Sequence, residues 1–226
     1  MLTVEEINNL TSEVNAFPGF AQNDYLVVKS FAEPVDTYTH YRRVVLLDAL
    51  FSTNLRRGRP VGGLVRQTVF QISENIRNCL PQLSRIVAPI RESTLFELDF
   101  ANQQVSESMS NALRAILDHL NNNALSFTGK YLHFLYPMVF PLWDRLVPQA
   151  INEIYDDEIF PENGANTPEY YLLLCQKYKE IAAHFSDTQL HGMIQQDHDS
   201  QPEGWRIQNT FVRILDKALW IYARPA

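Results

Sequence analysis

The sequence predicts an all-α protein, and three observations carry that expectation. Apolar residues recur near every 3.6 positions along most of the chain, the period of a helix with one buried face. The periodic stretches are broken by segments rich in Gly and Pro, in Asn, or in acids, which are turn compositions. Only "FELDF" (96–100) reads as a short strand, and nothing near it alternates well enough to pair with it.

Taken in order, residues 3–15 form a short helix that ends before "FPGF". A stronger helix spans 38–56, with Val44, Leu47, Leu50 and Phe51 along one side. "RRGRPVGG" interrupts it, because Gly58, Pro60, Gly62 and Gly63 together cannot sustain a helix. A second long helix runs over 63–79 and stops near Pro81. Val105, Met109, Ala112, Leu113, Ile116, Leu117 and Leu120 then make one apolar stripe, ending in the turn "NNN". Past Asp144 a helix reaches Tyr155, and "DDEIFPENGANTP" is an acidic loop. Thr167 caps the next helix with Pro168 at its first position, and Tyr171, Leu174, Tyr178 and Ile181 lie along it. A last helix, 205–222, buries Ile207, Phe211, Ile214, Leu215, Ala218 and Leu219. Segments 16–37 and 81–104 carry no clear pattern, and His191 and His198 read as loop groups.

The 226 residues suit one domain, 1–226, or two closely packed lobes, burying roughly 70% of the surface the unfolded chain exposes. Cys79 and Cys175 are far apart and lack CxxC spacing, so reduced thiols are expected rather than a bridge or a metal site. The first residues are acidic where a signal peptide is basic, and no apolar run nears the ~20 residues of a membrane span. A soluble, cytoplasmic protein without membrane contact is expected. The net charge of −7 argues against a generic nucleic-acid binder. That average hides an asymmetry: residues 29–91 hold ten Lys/Arg against four Asp/Glu, enough to steer an anionic partner to one face.

The segment "LSFTGKYLHFLYPMVFPLWDRLV" (125–147) holds the residues with most chemical meaning. Ser126, Phe127, Thr128, Gly129 and Lys130 follow an Asn-rich turn, and small residues entering a helix expose backbone N–H groups that can seat a phosphate. Asp144 lies fourteen positions beyond Lys130, at the start of the next helix after a loop holding Pro137 and Pro141. Taken alone, Lys130 reads as a surface residue of a first turn and Asp144 as an N-cap. His133 has no partner at metal-ligand spacing, so no metal or other cofactor is expected.

In this order the elements resemble the helix-hairpin-helix DNA glycosylase superfamily. Phe127 matches the apolar hairpin position, Ser126 and Thr128 stand where the family has two glycines, and Lys130 and Asp144 match its lysine and aspartate. "VVLLDALFSTNLRRGRP" resembles the family's upstream helix and DNA-facing turn, with Ser52, Thr53 and Asn54 at the turn and Arg56, Arg57 and Arg59 beyond it. The resemblance covers 38–185, with hairpin and aspartate loop at 122–147. The chain departs from the pattern in lacking both glycines and in a shorter lysine-to-aspartate spacing. It has no C-terminal cysteine cluster for an iron–sulfur site.

The resemblance implies a two-lobed helical fold around a cleft, and a base-excision enzyme acting on duplex DNA with the target base flipped out. Asp144 would stabilise positive charge growing on the sugar, and Lys130 would attack the sugar carbon, giving glycosylase and lyase activity. Ser52–Asn54 would wedge into the gap left by the base. Ser126–Gly129 would hold a phosphate, and Arg56, Arg57 and Arg59 would add phosphate contacts. The rival expectation is a catalytically silent module of the same fold that binds DNA or protein, or one serving in defence against modified phage DNA.

Overall fold

The computed structural model describes residues 1–17, 19–51, 55, 67–120, 124–161 and 167–224. The described residues are all-helical, with no strand. In order the helices are α1 (Val4–Ala16), α2 (Phe20–Ala32), α3 (Thr37–Leu50), α4 (Val69–Val87), α5 (Gln103–Leu117), α6 (Leu125–Leu135), α7 (Leu146–Tyr155), α8 (Pro168–Ala182), α9 (Asp187–Ser200) and α10 (Phe211–Tyr222). Among the described residues, no helix is long and apolar enough to cross a membrane.

Local chemistry sets most of the starts. Thr3 with Glu6, Asp36 with Thr39, Thr68 with Gln71 and Ser186 with Gln189 each form a reciprocal capping box, satisfying amides that a helix start leaves open. Thr167 is the N-cap of α8 with Pro168 in its first turn, but its hydroxyl makes no cap bond. Gly19 opens α2 at φ 82°, a left-handed conformation that an L side chain resists.

The helices expected over 38–56, 63–79 and 205–222 end at Leu50, start at Val69 and start at Phe211 respectively, and four further expectations need correction. The helix expected to stop near Pro81 is α4, and it continues to Val87 because Ile72, Ile76, Cys79, Leu83 and Val87 prolong its buried stripe. Pro81 is exposed, so water can serve the carbonyl it leaves without an amide partner. Segment 16–37 holds α2, whose buried positions Ala21, Asp24, Val27 and Ser30 mix polar with apolar residues and so hide the period. His191 and His198 lie on α9, not in a loop. Residues 96–100 form turns, with the Thr94 N–H on the Glu97 carboxylate at 2.7 Å.

Two helices are buried nearly all round, the mark of an element enclosed by others. α6 packs against α2, α3 and α5, and α10 against α1, α7 and α9. In α10, every residue from Phe211 to Leu219 is buried, as is Ile221. One apolar cluster runs from Leu2 to Leu219. Cys79 and Cys175 are buried, unbridged thiols within it.

The strap that joins α6 to α7, residues 136–145, is tied down along its length. Pro137 O accepts the Thr210 hydroxyl at 3.0 Å and Met138 O the Leu95 N–H at 2.8 Å. Phe140 O accepts His133 Nδ1–H at 2.7 Å and Pro141 O the Tyr171 hydroxyl at 2.5 Å. The Leu142 N–H reaches both Asp216 oxygens, at 3.1 and 3.2 Å. A loop fixed this often holds its side chains nearly as a helix would.

Candidate active site

Gly129 lets α6 approach the strap. A Cβ built on it would lie 3.0 Å from Trp143 Cβ, 3.1 Å from Trp143 N and 3.1 Å from Tyr171 Cε2. The close approach brings the next residue, Lys130, to the end of the strap. Its Nζ donates to Ser126 Oγ at 2.6 Å, to Trp143 O at 3.3 Å and to Asp144 Oδ2 at 3.4 Å. Three acceptors match the three donors of an ammonium. The other Asp144 oxygen accepts the Leu146 N–H at 3.2 Å, so one carboxylate starts α7 and meets the lysine at once.

The pair is unevenly solvated: the Lys130 side chain is 3% exposed and that of Asp144 33%. Burial pushes the Lys130 amine below its ordinary value, opposed by the negative charge and hydrogen bond of Asp144. The amine therefore gives up its proton more readily than a surface lysine does.

Both groups line one cavity of about 260 Å³. Its apolar walls include Phe20, Phe51, Val147 and Trp220. α10, which also carries Trp220, presents Arg213, Asp216 and Lys217 to the cavity, and these three share one face at i, i+3 and i+4. Arg213 forks onto Asp24 of α2, with contacts of 3.0, 2.5 and 2.8 Å. Lys217 donates to Asn15 Oδ1 at 2.9 Å and to Asp197 Oδ1 at 2.8 Å. Asp216 accepts the Tyr178 hydroxyl at 2.5 Å besides the Leu142 N–H, and burial raises its carboxyl to about 7. The cavity thus sets apolar and aromatic side chains beside the buried charges of Arg213, Asp216 and Lys217.

Of the residues singled out in the sequence, Lys130, Asp144 and Ser126 come together here. Phe127, Thr128 and Gly129 do not. The expected turn lies inside α6, where the Thr128 N–H is taken by Ala124 O at 3.0 Å. Phe127 and Thr128 are fully buried, with Phe127 stacked on Tyr131 at 5.9 Å. Ser52, Thr53, Asn54, Arg56, Arg57 and Arg59 lie outside the described residues; Leu50 and Phe51, just before them, line the cavity. Trp205 packs edge-on against Tyr25 beside a different hollow.

Sequence reading missed Asp24, Arg213, Asp216 and Lys217. The α10 charges look like the solvated side of an ordinary amphipathic helix, and their partners lie up to 202 positions away. Among the described residues no group of three or more His, Cys, Asp or Glu could hold a metal ion. No family model, curated protein or solved structure matches the chain.

Proposed function

We propose that the chain is a DNA base-excision glycosylase of the helix-hairpin-helix kind, with associated lyase activity at an altered or damaged base. The observation that carries this reading is the buried Lys130 amine, 3.4 Å from a partly exposed carboxylate, with both groups lining a cavity whose walls include aromatic rings. A flipped base would enter the cavity beside Phe51 and the packed rings of Phe20 and Trp220, leaving its sugar beside the pair. Burial favours the neutral Lys130 amine, which forms a bond to C1′ and sheds a proton to the leaving base, so that Asp144 stays ionised. The bond from C1′ to the base breaks, and its electron pair leaves with the base. Asp144 stabilises the positive charge that develops on the sugar as that bond lengthens. Opening of the sugar ring then gives an imine, through which the 3′ phosphate can be eliminated.

The test pairs duplex oligonucleotides bearing single altered bases with borohydride, which reduces the imine to a stable amine. A covalent adduct mapped to Lys130 is expected with the wild type and none with Lys130→Ala, while Asp144→Asn slows adduct formation by about 100-fold or more. Base release from no lesion, together with Asp144→Asn behaving as wild type, removes the enzymatic reading. The net charge of −7 favours a second reading, a silent binding module of the same fold. Binding that weakens steeply with salt supports DNA as partner, and salt-independent capture of a protein supports the module.

A further inference from the structure

Asp216 stands apart from the other cavity charges. Asp24 pairs with Arg213 and Asp197 with Lys217, but Asp216 has no cation within ion-pair distance in the described structure, His133 aside, whose Nδ1 lies 4.0 Å from Oδ2 and is spent on Phe140 O. Its contacts are instead the Tyr178 hydroxyl and the Leu142 N–H, which it meets with both oxygens. Leu142 is two residues before Asp144 and one before Trp143, the two residues whose oxygens hold Lys130 Nζ.

We propose that Asp216 is the positioning residue of the Lys130–Asp144 pair: it anchors the strap through Leu142 and so delivers both strap acceptors to the amine, and its negative charge acts on that amine across the cavity. For what the pair does, this rests on the glycosylase reading; for how the pair is held, it does not.

The groups that face Asp216 define how it responds to pH. α6 contributes Lys130 and neutral His133, which burial lowers to about 3. α8 contributes Tyr171, Cys175 and Tyr178, all kept protonated by burial. α10 contributes Arg213, whose charge is offset by Asp24 of α2. Burial outweighs Arg213 and the hydrogen bonds, so the carboxyl changes state near neutral pH. Ionised, Asp216 accepts Leu142 strongly and favours the Lys130 ammonium; protonated, it loosens the strap and favours the neutral amine. A carboxylate that places the strap thus also biases the nucleophile.

The test is an NMR titration of the whole chain, following the Leu142 amide proton and the Lys130 ε-carbon in wild type, Asp216→Asn and Tyr178→Phe. Asparagine keeps an acceptor for Leu142 but carries no charge. In the wild type the Leu142 amide shifts across neutral pH; in Tyr178→Phe that midpoint moves up, since one bond to the anion is lost; in Asp216→Asn it vanishes. The Lys130 midpoint falls by about one pH unit in Asp216→Asn. A Leu142 amide that is flat through neutral pH in the wild type overturns the proposal, as does a Lys130 midpoint unmoved by Asp216→Asn. Should Asp216→Asn not fold, the wild-type and Tyr178→Phe titrations decide. A wild type that forms no borohydride adduct yet titrates as described refutes the glycosylase reading and leaves the role of Asp216 standing, whereas adduct formation with an indifferent Lys130 does the reverse.

Discussion

Gly129→Ala and Gly192→Ala place the same added methyl on two helices with opposite consequences. Both glycines are helical, and replacing a helical glycine by alanine ordinarily stabilises by about 1 kcal/mol, because glycine loses more backbone freedom on folding. At Gly192 on α9 a Cβ meets nothing within 4 Å, so the full gain is expected, a rise in Tm of about 2 to 4 °C for a chain this long. At Gly129 the methyl meets Trp143 Cβ at 3.0 Å, with Trp143 N and Tyr171 Cε2 at 3.1 Å. Trp143 offers backbone and the root of a side chain, which cannot swing aside, and the strap that holds it is tied on both sides. Overpacking of this kind costs about 1 to 3 kcal/mol, which cancels or exceeds the helix gain and leaves a net loss on the order of 1 kcal/mol. Pushing Trp143 away from α6 also lengthens contacts to Lys130 Nζ that already stand at 3.3 and 3.4 Å. Urea unfolding gives the two stability changes, and borohydride trapping gives the effect on the amine. If Gly129→Ala matches Gly192→Ala in stability, the close packing of α6 on the strap is not what places the pair.

Asp24→Ala leaves the Arg213 guanidinium buried without its carboxylate and is expected to destabilise by roughly 3 to 5 kcal/mol in urea; a loss under 1 kcal/mol would mean that water replaces the partner. Ser186→Ala removes the capping box of α9 and should cost about 1 kcal/mol, with faster amide exchange confined to the first turn of that helix. His40 and His133 are buried and neutral, lowered by burial to about 4 and about 3, below their unfolded value near 6.5. The unfolded chain therefore binds protons the native chain does not, and stability falls as pH drops below 6.5. Asp216 acts with the opposite sign: raised to about 7, it contributes stability at low pH that is lost as pH rises through that value. Between pH 6.5 and 4 the two histidines outnumber the one carboxyl, so the wild type should lose about 1.4 kcal/mol per pH unit and Asp216→Asn about twice that. An identical slope in the two proteins would refute the assignment of Asp216.

How much of this was legible in the sequence depended on the range of the interaction. The apolar stripe of α5 and the Thr167–Pro168 start of α8 are local signals and were readable. The start of α9 was readable too, in Ser186 followed three residues later by Gln189, but the polar composition of that helix hid it. Lys130 and Asp144 pair in the sequence only through the family resemblance, since each alone reads as an ordinary surface lysine and an N-cap; the close approach of Gly129 to Trp143, which brings them together, leaves no local signal. The charges of α10 were not legible at all. Whether a charged side of a helix faces water or an acid depends on what packs there, and Asp24 lies 189 positions from Arg213.

That separation has a consequence for assembly. The charged part of the cavity exists only when α1 and α2, from one extreme of the described chain, have met α10 from the other, since Lys217 reaches Asn15 and Arg213 reaches Asp24. Contacts joining such remote positions close large loops and are among the last to be rewarded as a chain folds. No partially formed intermediate can own a working version of this hollow, so whatever reactivity the lysine has is switched on together with completion of the fold.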